Sequence, residues 1–117
     1  MTALALTPAT LDLTVVQGDS FAESFTFAQS GAALNLSTYT ALAQVRAERS
    51  SSSTLLATFT VGTASASTGV WTLSLSAATT AALDPGQYAW ELQWTVGSTV
   101  RTVVAGSFTV EPQVAKP

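Results

Sequence analysis

The chain has 117 residues, enough for one domain with its own core, and carries charge at only 9% of positions, with a net charge of -3. It contains no cysteine and no histidine, which excludes disulfide staples and thiolate metal sites and removes the commonest general base, metal ligand and pH switch. Four basic residues, Arg46, Arg49, Arg101 and Lys116, are too few for phosphate neutralisation; with no long apolar stretch and no basic leader, neither nucleic acid nor membrane is an expected partner.

Residues 1–10 contain Pro8 and no sustained period, and read as an N-terminal arm or edge segment. Leu11, Leu13 and Val15 then alternate with Asp12 and Thr14, and Gln17-Gly18-Asp19 turns the chain into Phe21, Glu23, Phe25 and Phe27. Glu23 shares parity with three phenylalanines. Since an unpaired buried carboxylate is costly, either it sits at the sheet margin in water or a bulge shifts it. After a turn at Gln29-Ser30-Gly31, Tyr39, Ala41, Ala43, Val45 and Ala47 are predicted to face inward, with Thr40, Leu42, Gln44, Arg46 and Glu48 outward. Beyond a serine-rich loop at 49–53, Leu55, Ala57, Phe59 and Val61 form the expected inward set of the next strand, against Leu56, Thr58 and Thr60. A segment of small residues at 62–69 leads to Trp71, Leu73 and Leu75, and 76–83 predicts one or two helical turns.

The run Leu83-Asp84-Pro85-Gly86-Gln87-Tyr88 predicts a sharp corner, because Pro85 pre-sets φ and Gly86 tolerates positive φ. It feeds a strand with Tyr88, Trp90, Leu92, Trp94 and Val96 on one face, and its Leu-x-Pro-Gly-x-Tyr spacing resembles the tyrosine corner of immunoglobulin-like and fibronectin-like sandwiches. The last hairpin has two self-consistent registers. A three-residue turn pairs Val96 with Val100, Leu92 with Val104, Trp90 with Gly106 and Tyr88 with Phe108; a two-residue Gly97-Ser98 turn reaches the same core parity if a bulge follows near Gly106. The whole predicts an all-β, immunoglobulin-like two-sheet antiparallel sandwich of about seven strands over residues 11–110, with a C-terminal tail at 111–117.

No catalytic residue, metal ligand or cofactor is expected. Asp12, Asp19, Glu23, Asp84, Glu91 and Glu111 fall on separate elements, and the plentiful serines lack a base to take their proton. Trp90 and Trp94 lie about 13 Å apart along one strand, a span that suits stacking on successive sugar rings and makes a carbohydrate-binding module the alternative reading. Their neighbours Tyr88, Leu92 and Val96 favour core packing instead. Leu42, Leu56 and Val103 are outward by parity, with Arg46 and Arg101 as polar anchors at the rim, and form the candidate interface. A weakly charged β surface lacks the repulsion that keeps edges apart, so it suits a protein packed against others.

In chain order, the pieces Leu13-Thr14-Val15-Val16-Gln17-Gly18-Asp19, Leu36-Ser37-Thr38-Tyr39-Thr40, Ala43-Gln44-Val45-Arg46, Leu73-Ser74-Leu75-Ser76, Leu83 to Tyr88 and Gly106-Ser107-Phe108-Thr109-Val110 resemble small structural proteins of tailed bacteriophages. The nearest group is the immunoglobulin-like N-terminal domain of phage upper-baseplate proteins, from which this chain departs at Thr38, where a glycine is expected. The resemblance implies a non-enzymatic virion component that docks on baseplate, tail or major capsid proteins, with homo-oligomerisation left open. It carries over no catalytic residue.

Overall fold

The computed structural model describes residues 9–29 and 31–115. Most of the expected arm, Ser30 of the second turn and the last two residues of the tail lie outside the described residues. In chain order the elements are β1 (Ala9–Thr10), β2 (Leu13–Val16), β3 (Phe21–Thr26), β4 (Ala28–Gln29), β5 (Ala32–Ala33), β6 (Thr40–Arg46), β7 (Leu55–Thr58) and β8 (Thr60–Gly62). A 3-10 turn at Ala66–Thr68 follows, then β9 (Val70–Leu75), α1 (Ala77–Ala81), β10 (Gly86–Val96) and β11 (Thr99–Glu111).

These strands form an immunoglobulin-like sandwich. In the larger sheet β11, β10, β6 and β7 run side by side, and β1 and β2 pair in parallel with the free side of β11. The smaller sheet has the order β3-β9-β8, and β4 and β5 make a separate short ribbon. Ala9 and Thr10, expected in the arm, thus belong to the larger sheet, opposite Val104 and Ala105. The chain changes sheets at Phe59, between β7 and β8. Its N–H donates to the Ala43 carbonyl of the larger sheet at 2.9 Å while its ring packs against Phe21, Trp90 and Phe108.

Aromatic rings run the length of the core. Phe21, Phe59, Trp90 and Phe25 make successive contacts toward one end, and Phe27, Trp71, Trp94 and Tyr39 cluster at the other, with centroids 5.0–6.4 Å apart in tilted or edge-on geometry. Around them the alternation assigned from sequence holds for Leu13, Val15, Ala43, Val45, Ala57, Trp71, Leu73, Leu75 and Leu92, all buried. Two apolar residues of the inward sets are exposed instead: Leu55 on β7, at 45%, and Leu11, which lies between β1 and β2 and is 39% exposed.

The second of these explains Gly106. Leu11 crosses directly over it, so a Cβ at Gly106 would fall on the Leu11 carbonyl. The same carbonyl accepts the Trp90 indole N–H at 2.8 Å, and the Ser107 N–H donates to Asp12 Oδ1 at 2.9 Å. The glycine therefore makes room for a crossing backbone, and the indole beside it fastens that backbone down. Turn and register are resolved together. Gly97, at φ 59°, opens a two-residue turn that pairs Val96 with Thr99 and Trp94 with Arg101. Val103 is then the extra residue of a bulge, after which Leu92 meets Val104, Trp90 meets Gly106 and Tyr88 meets Phe108. The expected core pairs form, whereas the Val96–Val100 pair of the three-residue turn does not.

Candidate docking surfaces

The outward side chains of β6 and β10 build a shallow depression of about 360 Å³ on the larger sheet. Across the ladder Leu42 faces Gln93, Gln44 faces Glu91 and Arg46 faces Ala89, and Glu48, Arg49 and Ser50 close one end. Leu42 is 45% exposed and is the apolar centre of an otherwise polar surface on which Arg46 and Arg49 balance Glu48 and Glu91. Arg46 is half-buried because its guanidinium is already engaged, donating to the Ser53 carbonyl at 2.7 Å and to Gln44 Oε1 at 3.2 Å. It braces the serine-rich loop, which also ties itself together: Ser53 Oγ donates to the carbonyls of Glu48 and Ser50.

The other candidate interface residues are corrected by the two bulges. On β7, Val45 pairs with Ala57 but Arg46 pairs with Leu55, so Leu56 is an inserted residue and packs against the core while Leu55 turns out to 45% exposure. Val103 is likewise the inserted residue of β11 and also packs inward. Arg101 lies opposite Trp94 and so shares its inner face, near the open end of the hairpin. Of the five residues grouped from sequence, the structure brings together only Leu42 and Arg46.

The sugar platform fails for a related reason. Trp90 is 3% exposed and Trp94 is packed among Phe27, Tyr39 and Trp71, so neither ring presents a free face. Among the described residues no group of acidic side chains is placed to hold a metal ion, and no helix is long and apolar enough to cross a membrane.

A second surface is the free side of β3. All six residues of this strand pair with β9, and Phe27, just beyond, donates its N–H to the Gly69 carbonyl at 2.8 Å. In an antiparallel ladder that bond fixes the phase, so the backbone groups of Phe21, Glu23 and Phe25 face β9 and those of Ala22, Ser24 and Thr26 face away. Glu23 stays in register opposite the fully buried Leu73, yet is itself exposed, with its carboxylate at the sheet margin.

No family model and no curated protein matches this chain. Among solved structures, the N-terminal domain of phage TP901-1 ORF48 is similar with a TM-score of 0.54 at 13% identity, over 87% of this chain and 94% of that one. The two share a fold. The resemblance read from the strand and turn motifs is thus matched in three dimensions by the N-terminal domain of a phage protein. The ZIG-8–RIG-5 IG1–IG1 heterodimer is also similar, with a TM-score of 0.46 at 16% identity, covering 93% of this chain and 89% of that one.

The corner that anticipated this fold is built as expected. The Tyr88 hydroxyl donates to the Asp84 carbonyl at 2.6 Å, Leu83 is buried, and Pro85 and Gly86 lie exposed at the bend. Sequence reasoning missed the clamp beneath it. Gln17 Nε2 donates to the Leu83 carbonyl at 2.8 Å, the Gly18 N–H donates to Thr80 Oγ1, and Thr80, fully buried, donates to the Asp19 carbonyl at 2.7 Å. A helical threonine gives no sign from spacing alone that its hydroxyl will bridge to a loop some 60 residues earlier.

Proposed function

We propose that this chain is a non-enzymatic structural component of a bacteriophage virion that docks on neighbouring virion proteins, as a baseplate or tail adaptor or as a capsid decoration protein. One observation carries the reading: the ordered motif series resembles phage baseplate domains, and the fold independently matches a phage domain over 87% of the chain. The surface supports it. A low charge density, an apolar centre at Leu42 among polar side chains, two arginines and two glutamates, and a strand edge unpaired among the described residues are features of a protein whose working state is packed against others.

The test is protein mass spectrometry on purified particles of the source phage, separated into heads and tails. Enrichment with tails assigns a baseplate or tail role, and enrichment with heads assigns capsid decoration. Absence from both fractions contradicts the proposal.

A further inference from the structure

Among the described residues the two sheets of the sandwich present four strand edges, and three of them are blunted. On the larger sheet, β7 is four residues long with the Leu55–Leu56 bulge, and the β1–β2 edge is broken where Leu11 and Asp12 cross β11. On the smaller sheet β8 has three residues. Short strands, bulges and interruptions are the devices by which β proteins prevent strand addition. The fourth edge, β3, has none of these: it is six residues long, pairs without a register shift and contains no proline or lysine. Its open side offers the N–H and C=O groups of Ala22, Ser24 and Thr26, all exposed residues.

We propose that β3 is an addition site for an extended segment of another protein, which pairs antiparallel or parallel with β3 and reads apolar-x-basic-x-apolar on the face it shares with Phe21, Glu23 and Phe25. Phe21 and Phe25 are only half-buried, so an added strand with apolar residues opposite them completes their burial. Glu23 between them sets the chemistry of the central position. It is unpaired with any charge on β9, where its neighbour is Leu73, and a lysine or arginine on the incoming strand neutralises it.

A second copy of this chain fits poorly. Antiparallel self-pairing through the open side sets Glu23 against Glu23, Phe25 or Phe21 of the other copy, none of which neutralises it, and the two strand arginines, Arg46 and Arg101, lie on β6 and β11. The inference rests on the virion reading, because it assigns the edge through which the chain would dock in a particle.

Ser24→Pro tests it. Proline deletes the N–H at the centre of the open edge, which β9 does not use, and edge strands tolerate proline on their solvent side. Phage carrying Ser24→Pro is compared with wild type and with Ser24→Ala, which keeps the N–H, by copies of the chain per purified particle. Thermal unfolding of each isolated chain establishes that it is folded. The expected result is wild-type occupancy for Ser24→Ala and a loss of about tenfold or more for a folded Ser24→Pro, as befits a docking bond left unmade. Glu23→Lys, which places like charges across the junction, is expected to lower occupancy as well. If wild-type chain is in the particles and folded Ser24→Pro and Glu23→Lys enter equally, the edge assignment is wrong and the virion reading stands. If wild-type chain is itself absent, the virion reading fails. A wild-type dimer in sedimentation that Ser24→Pro dissolves would overturn the choice of partner in favour of self-pairing.

Discussion

The two sheets are sealed by different means, and the difference separates the parts of this molecule that hold it together from the part that is free to bind. The larger sheet ends in a fastened crossing: Gly106 admits the Leu11 backbone, the Trp90 indole holds its carbonyl, and Asp12 takes the Ser107 N–H. Its β11 side is covered by the chain itself, and its β7 side is short and bulged. The smaller sheet ends in β3, a regular strand whose outer backbone groups pair with no other element among the described residues and whose inner face carries a carboxylate between two phenylalanines. One edge is built for permanence. The other carries one charge, Glu23, and a strand of suitable chemistry would cover it.

The contrast can be broken most forcefully at Gly106. Gly106→Val drives a side chain into the Leu11 carbonyl and is expected to cost about 3 kcal/mol, the scale of severe overpacking, with loss of amide protection in β2. Chemical denaturation and hydrogen exchange measure both. Next come the tryptophans. Trp90→Phe removes the bond to Leu11 and is expected to destabilise by about 2 kcal/mol, whereas Trp71→Phe costs less, because the Trp71 indole N–H is buried without a partner and its removal recovers a desolvation penalty. The order of the two denaturation midpoints is the readout. Tyr88→Phe deletes the 2.6 Å corner bond to Asp84 and is expected to cost about 1 kcal/mol.

The smaller effects concern the edges directly. Glu23→Val leaves folding stability nearly unchanged, but it removes the charge from β3 and should raise self-association, visible as a concentration-dependent sedimentation coefficient. At the other edge, the backbone N–H of Ser107 and then its side chain lower the Asp12 pKa from its usual 3.8. A carboxylate with a depressed folded pKa stabilises the fold above its unfolded value and loses that contribution as pH falls through the folded one. Acid titration of stability below about pH 4 is therefore expected to be shallower in Asp12→Asn than in wild type; an identical acid limb would remove Asp12 from the account.

Much of this was legible in the sequence because side-chain alternation reports burial, and burial dominates a sandwich. Alternation located seven extended segments, the corner at Tyr88 and the pairing of Trp90 with Gly106. It gave the wrong face for Leu55, Leu56, Arg101 and Val103, all on strands that carry a bulge. A bulge is a backbone event that inverts parity with no dedicated residue type, so a period-2 count has nothing to register there. The role of Gly106 was half-legible: a small residue opposite Trp90 signals a close approach, but not that the approaching group is the backbone at Leu11. The open edge left its trace in Glu23, whose charge within a phenylalanine series marks a margin.

Residue-resolved hydrogen exchange on the isolated chain tests the central contrast most directly. The account predicts alternating protection along β3, with slow amides at Glu23 and Phe25 and fast ones at Ala22, Ser24 and Thr26, beside continuous protection of β11 through Val104, Ala105 and Phe108. Uniform protection along β3 would mean that its outer edge is already covered, and would contradict the claim that this is where a partner adds.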